Sequence, residues 1–255
     1  MTKIVIIGSG NVASHLFTAL RDIDDLDIVQ CYNRRGLALS TEENAIHLVV
    51  SDIKQLTDAN LFIMAISDDA IAEVSSEIPE GDHLVVHTSG SVSINSINNK
   101  HRKGVFYPLQ SISKDKDVDF TKVPFCLEAE HIEDLNLIKR IAFSLSPKVY
   151  EISSEQRKIL HVAAVFANNF SNYMFTIAKE ECDQYNIPFE ILHPLIIETA
   201  EKALTLPPEK SQTGPAIRND LKTIERHLNQ IADAEHKKVY KVITEAIQNK
   251  YGKKL

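Results

Sequence analysis

Near its start the chain reads Lys3-Ile4-Val5-Ile6-Ile7-Gly8-Ser9-Gly10-Asn11-Val12-Ala13. Four consecutive branched apolar residues fit a strand buried on both faces, as in a parallel sheet covered by helices. The strand runs directly into G-x-G-x-x-A, and Val12–Leu20 then continues as an amphipathic helix. This order has a physical purpose. Gly8 permits a tight turn, Gly10 lets the backbone approach a pyrophosphate, and Ala13 allows close helix–strand packing. The helix N-terminus adds N–H groups and a positive dipole end. Gly8, Ser9, Gly10, Asn11 and Val12 are therefore candidate cofactor-binding residues, and the alternative is a glycine turn that binds nothing.

Working outward, short apolar runs alternate with helix-like stretches. The strand candidates are Lys3–Ile7, Asp27–Asn33, Ile46–Val50, Leu61–Ile66, His83–His87, Gly104–Tyr107, Val123–Glu128 and Lys148–Ile152. This alternation predicts a doubly wound α/β domain over residues 1–152. The texture then changes. Ser153-Ser154-Glu155-Gln156 has the form of a capping box, and no Gly or Pro follows until after Tyr185. Helical patterns continue over Pro188–Leu204 and Arg218–Gln248, so residues 153–255 are expected to form an all-helical domain. Six of the eight glycines fall by residue 104, in keeping with two halves built differently.

The bulk numbers exclude several classes. The 255 residues carry a net charge of −7 with no Lys/Arg-rich run, which argues against nucleic-acid binding. No apolar segment is long enough to span a membrane, and the N-terminus lacks the pattern of a signal peptide. Cys31, Cys126 and Cys182 are odd in number and far apart, so neither a disulfide framework nor a metal site is expected. The cytoplasm is the expected compartment.

In open α/β sheets, ligands lie outside the carboxyl ends of the strands. The second strand ends in Asn33-Arg34-Arg35-Gly36, with two guanidiniums and no acid at its tip. An acid there would suit NAD, whereas Arg suits a ribose phosphate, so NADP(H) is favoured over NAD. Ile66, Ser67 and Asp68 end the fourth strand, and Asp68 either takes part in the site or caps the next helix. Thr88 and Ser89 follow His87 at the fifth strand end, where they either bond a carboxamide or terminate the strand. His87 itself is an acid candidate or a structural residue.

On the long helix, a uniform 100° per residue puts His161, Val165, Asn168 and Asn172 on one stripe, flanked by Lys158 and Asn169. Polar groups on an apolar helix are costly to bury unless paired. A substrate carbonyl would satisfy them, and so would a polar core cluster. Thr213-Gly214-Pro215-Ala216-Ile217-Arg218 forms a second polar island. There Arg218 either clamps a substrate carboxylate, with Thr213 and Ser89 nearby in role, or pairs with Asp220 or Glu225.

The islands GSGNVA, AISDDAI, HTSGS, YPLQS, HVAAVFANNF and TGPAIRND together resemble the DUF2520 family of Rossmann-like proteins. That family is similar to 6-phosphogluconate-dehydrogenase-like, pyrroline-5-carboxylate-reductase-like and ketopantoate-reductase-like enzymes. The resemblance implies a Rossmann domain, a helical dimer-forming domain, NADP(H) between them, and reduction of a small keto or imine acid. Gly8 to Val12 match its phosphate loop, Asn33 and Arg34 its ribose-phosphate end, His161 and Asn169 its polar helix pair, and Arg218 its TGPxxR turn. Tyr107 stands where HPL is common and Gln212 where Leu is common. The Lys–Asn pair of the related dehydrogenases is replaced by His161 with Lys158 one turn earlier. His161, Lys158, Asn168 and Asn169 are thus the catalytic candidates, with His161 or Lys158 as proton donor. The alternative is an NADP-binding regulatory or scaffold protein without turnover.

Overall fold

Ile4 and Ile6 point to one face of the first strand, Val5 and Ile7 to the other, and all four are at most 1% exposed. Both faces are covered, which is why the run is apolar without alternation. The structure, a computed structural model, describes residues 1–40, 47–114 and 116–252. Its strands are β1 (Thr2–Ile7), β2 (Leu26–Tyr32), β3 (Val49–Val50), β4 (Leu61–Met64), β5 (Leu84–His87), β6 (Arg102–Pro108), β7 (Phe125–Ala129) and β8 (Val149–Glu151). They form one sheet in the order β3-β2-β1-β4-β5-β6-β7-β8. Its first six positions follow the dinucleotide-fold order. The expected α/β class and the strand positions hold to within a few residues. The predicted Ile46 start of the third strand lies outside the described residues.

One feature departs from an all-parallel sheet. β7 runs antiparallel to β6, and β8 runs parallel to β7. The β6–β7 connection, residues 109–124, carries a single 3-10 turn (Phe120–Lys122) among its described residues. A parallel return would need a crossover element spanning the sheet.

Helix α1 (Asn11–Leu20) buries Ala13, Leu16, Phe17 and Leu20, an i, i+3, i+4, i+7 stripe. It shares one core layer with Ile138, Ile141 and Ala142 of α3 (Ile132–Leu145). Ile71 and Val74 of α2 (Ile71–Glu77) cover the opposite face.

The long helix opens with the anticipated capping box, Ser153 on the Gln156 N–H and Gln156 reaching back to Ser153. It is α-helical over α4 (Ser154–Ala164), π-helical over Val165–Phe170, and α-helical again over α5 (Ser171–Gln184). The π segment changes the angular period, so a stripe drawn at a uniform 100° per residue does not extend past Ala164. The sheet ends at Glu151 of β8, just before the expected boundary after residue 152. The compact units themselves are Met1–Asn168 and Asn169–Leu255, dividing within this helix.

The second unit contains α5, α6 (His193–Thr205), α7 (Pro208–Ser211), α8 (Leu221–Gln230) and α9 (Ala234–Tyr251). The helical pattern over Arg218–Gln248 resolves into two helices, each opened by an aspartate. Asp220 accepts from the Thr223 N–H, and Asp233 from those of Glu235 and His236. Arg218 lies in the turn before the first of them. Few side chains of this unit are buried: α5 and α6 bury none, while Tyr173, Phe175, Leu195 and Ile197 stand exposed. Among the described residues, no helix is long and apolar enough to cross a membrane.

Candidate functional site

The carboxyl ends of β1, β2, β4, β5 and β6 converge on one edge of the first unit. At the end of β1, Gly8 has φ +129°, and a Cβ there would lie 2.1 Å from the Ala65 carbonyl oxygen. Glycine is thus required by the fold itself. Gly10 is the residue before α1, with extended backbone and no side-chain cap, and no acid lies in the first helical turn. The amino end of α1 therefore presents backbone N–H groups without a protein counter-charge, the arrangement suited to an anion. A cavity of about 450 Å³ opens beside it, lined by Gly8, Ser9, Gly10, Asn33, Arg34, Arg35, Ile66 and Ser67 among others. The residues of this cradle fit a dinucleotide: open space over Gly10, N–H groups at the start of α1 for the pyrophosphate, and two arginines in the lining.

Asn33 itself is turned inward. Its amide nitrogen donates to the Leu37 carbonyl at 2.7 Å and its oxygen accepts from the Leu37 N–H at 2.9 Å. It builds the loop that displays the exposed Arg34 and Arg35. Arg35 reaches back to the Ser9 hydroxyl at 3.4 Å, so the phosphate loop and the ribose end are already in contact. Asn11 donates to the Ile112 carbonyl at 3.2 Å, and His15 Nε2 lies 3.0 Å from the Ser113 carbonyl oxygen. These two bonds draw the segment after β6 across the start of α1.

At the β4 end, Ser67 rather than Asp68 precedes the 3-10 turn, and the Asp68 carboxylate accepts from the Ser91 hydroxyl. Helix capping is therefore not the role of Asp68. Beyond β5, the Thr88 N–H donates to the Met64 carbonyl at 3.1 Å. The buried Ser89 oxygen accepts from the N–H groups of Ser91 (3.1 Å) and Val92 (3.0 Å), shaping the turn around Gly90. His87 is fully buried, accepts from the Ser89 N–H at Nδ1, and is pushed down to about 4 by burial and then by Arg157. A sealed neutral imidazole cannot serve as the acid, so His87 is structural.

His161 is the histidine of α4 that reaches this edge. Its Nδ1 lies 3.3 Å from the Tyr107 hydroxyl, with the two rings edge-on at 6.3 Å and 65°. Gly90 makes this approach possible, since a Cβ there would lie 2.6 Å from His161 Nδ1 and 2.8 Å from the Tyr107 oxygen. Burial raises the Tyr107 phenol above its ordinary value, so it stays protonated. Lys158 instead pairs with Glu155 on the surface at 2.9 Å. Asn168 and Asn169 are exposed.

Two residues that the sequence reading passed over hold α4 in place. Arg157, 0% exposed, donates to Glu128 of β7 at 2.6 Å and to the Val92 carbonyl. Ser154 donates to the same Glu128 oxygen at 2.7 Å and accepts from the Ile94 N–H. The only available signal was a basic residue one turn before His161, and most such residues are solvated.

In the second unit, Thr213, Pro215 and Ala216 line an apolar cavity of about 340 Å³ with Met174, Ile177 and Tyr240. Arg218 is exposed and has no ion pair among the described residues, so the expected alternative of a bridge to Asp220 or Glu225 is not formed. Among the described residues, no group of three or more His, Cys, Asp or Glu gathers as a metal site.

A family model described as a domain of unknown function, DUF2520, matches residues 123–247. A solved structure from Bacteroides fragilis, provisionally named an NADP oxidoreductase, is 40% identical. It aligns over 97% of this chain and 98% of that one with a TM-score of 0.84. A Thermotoga maritima protein is 19% identical over 96% and 97%, with a TM-score of 0.72. A Plasmodium falciparum pyrroline carboxylate reductase, solved with NADP bound, is 12% identical over 98% and 97%, with a TM-score of 0.57. The latter two likenesses concern the fold. No curated protein matches the sequence. The match to DUF2520 over residues 123–247, with 40% identity to the Bacteroides fragilis protein along almost the whole length, places this chain in the DUF2520 family.

Proposed function

We propose that the chain is an NADP(H)-dependent oxidoreductase that reduces a small keto acid or imine acid. The observation that carries this reading is the acid-free, uncapped amino end of α1 beside a cavity whose lining includes Arg34 and Arg35. The provisional name of the 40%-identical Bacteroides fragilis protein supports it. Gly8 to Val12 would hold the pyrophosphate, Arg34 and Arg35 the ribose phosphate, and Ile66, Ser67, Asp68, Thr88 and Ser89 would form or brace the wall toward the nicotinamide. Bound there, the reduced cofactor supplies a hydride equivalent.

His161, as the imidazolium, supplies the accompanying proton from Nε2, which leaves a neutral ring whose Nδ1–H faces the Tyr107 hydroxyl. An imidazole suits acid chemistry near neutral pH, and the surface pair of Lys158 with Glu155 makes that lysine the weaker candidate. Asn168 and Asn169 remain candidates for orienting the reducible group. Arg218, cationic and without an ion pair among the described residues, is the candidate for a substrate carboxylate, with Thr213 beside it in sequence. The exposed aromatic and aliphatic residues of α5 and α6 favour pairing with a second copy through the helical unit. Light scattering should then return twice 28.6 kDa.

The test is calorimetry with NADPH and NADH, followed by NADPH oxidation against a panel of small 2-keto acids and cyclic imines. Tighter binding of NADPH, and turnover lost in His161→Gln but kept in Lys158→Met, is expected. No binding of either nucleotide would overturn the reading.

A further inference from the structure

Tyr107 is separated from His161 by 54 positions, yet its hydroxyl meets the ring nitrogen Nδ1 at 3.3 Å. Three observations make this a built arrangement. Gly90 is the one residue that leaves room for the pair, since any Cβ there would press on both partners. The helix carrying His161 is pinned one turn earlier by the buried Arg157–Glu128 ion pair. Finally, among the described residues the Tyr107 hydroxyl has no hydrogen-bond partner except His161, and His161 Nε2 has none.

We propose that Tyr107 is a positioning residue that holds the His161 ring with Nε2 toward the substrate, carrying Nε2–H in the resting neutral ring and in the imidazolium that gives up the proton. The inference rests on the oxidoreductase reading for the identity of what Nε2 meets. The chemistry is that of a hydroxyl, which both donates and accepts. Beside a neutral imidazole, the phenol O–H has Nδ1 as its acceptor, so the ring proton resides on Nε2. Beside a protonated imidazole, the hydroxyl turns and accepts from Nδ1–H, and Nε2 again carries a proton. A phenylalanine would leave the ring free to hold its proton on either nitrogen and to rotate. The raised phenol suits the role, because burial keeps Tyr107 protonated.

The experiment is nitrogen-15 NMR of the full chain with labelled histidine, His161 being assigned among the ten histidines by its loss in His161→Gln. The expected wild-type spectrum of the neutral ring shows the Nε2–H tautomer, with Nδ1 displaced as a hydrogen-bond acceptor. Tyr107→Phe should move the Nδ1 resonance of His161 toward its unbonded position and leave the other histidines in place. Gly90→Ala, which separates the pair sterically, should do the same. A wild-type Nδ1–H tautomer, or a His161 pattern indifferent to Tyr107→Phe, would overturn the proposal. Should a variant not fold, the tautomer seen in the wild-type spectrum still supports or overturns it. With a substrate in hand, Tyr107→Phe should lower kcat at least tenfold with NADPH affinity unchanged. A failed nucleotide titration would instead strike the oxidoreductase reading and leave the tautomer result standing.

Discussion

Gly10→Ala separates what the fold requires from what a ligand requires. Gly8 cannot accept a side chain, because its φ is +129° and a Cβ would collide with the Ala65 carbonyl. Gly10 is different. Its φ is −83°, its backbone is extended, and a Cβ built on it meets no protein atom within 4 Å. Alanine loses some quality as a helix-preceding residue, about 0.5–1 kcal/mol, and gains a similar amount by restricting the unfolded chain. The two nearly cancel, so stability should change by less than about 1 kcal/mol. A nucleotide would notice the methyl group at once. It occupies the space through which a pyrophosphate reaches the α1 N–H groups. Weakening two hydrogen bonds to a charged group, at about 1.5 kcal/mol each, lowers affinity roughly 100-fold. Urea denaturation followed by circular dichroism gives the first quantity, and isothermal calorimetry with NADPH the second. A variant that unfolds several kcal/mol more easily, or one that binds NADPH like the parent, would refute the argument that this space is kept for a ligand.

The arginines at the β2 end should read the ribose phosphate. Arg34→Ala should weaken NADPH about tenfold or more and leave NADH nearly unchanged, and equal losses for the two in parallel titrations would contradict this. Arg35→Ala should cost both nucleotides something, because Arg35 also touches Ser9 of the phosphate loop. At the helix anchor, Glu128→Ala strands a fully buried guanidinium and should cost about 3–5 kcal/mol. Arg157→Met should cost less, about 2 kcal/mol, because the remaining carboxylate is 19% exposed and keeps the Ser154 hydroxyl; chemical denaturation showing the reverse order would overturn this account. Acid should destabilise the sheet unit through His83 and His87, each pushed down to about 4 from 6.5 chiefly by burial. The unfolded chain takes up these protons below about pH 6.5 and the folded one only near pH 4. Their contribution is therefore intact above 6.5 and lost between 6.5 and 4, at about 3 kcal/mol for each residue. His83→Gln should flatten that part of the curve of denaturation midpoint against pH, and an unchanged slope would sink the assignment.

The parts of this molecule legible in the sequence are those written in local patterns. Ile4–Ile7 and Leu61–Met64 are apolar without interruption because both sides of their strands are covered, and that demand falls on each residue separately. The capping box at Ser153 and Gln156 is likewise local, since its two hydrogen bonds join residues three apart. The antiparallel β7 was not legible. Strand direction depends on the route of the connection, and residues 109–124 carry no periodic pattern that reveals it. Nor was the π segment at Val165–Phe170, because Phe, Ala and Asn satisfy a helix of either period.

The candidate site divides along the same line, and the division explains which roles shift. The phosphate loop acts through backbone geometry, which glycine spacing encodes directly. The roles of Asn33, Ser89 and Asp68 are set by partners that local sequence does not specify: the Leu37 backbone, the Ser91 and Val92 N–H groups, and the Ser91 hydroxyl. Asn33 was expected at the ribose phosphate, and Ser89 and Asp68 either at a ligand or in a structural role; each makes hydrogen bonds that shape the loops around the cavity. The reason is energetic. A polar side chain at a buried strand end must find hydrogen bonds whether or not a ligand is bound. The resting fold therefore claims the polar groups closest to the sheet and leaves outward the ones without such partners, namely His161 Nε2 and the α1 N–H groups. By that criterion the buried Arg157 belongs to the frame, and Tyr107, which looked like a departure from the family pattern, stands against His161, whose Nε2 makes no hydrogen bond among the described residues.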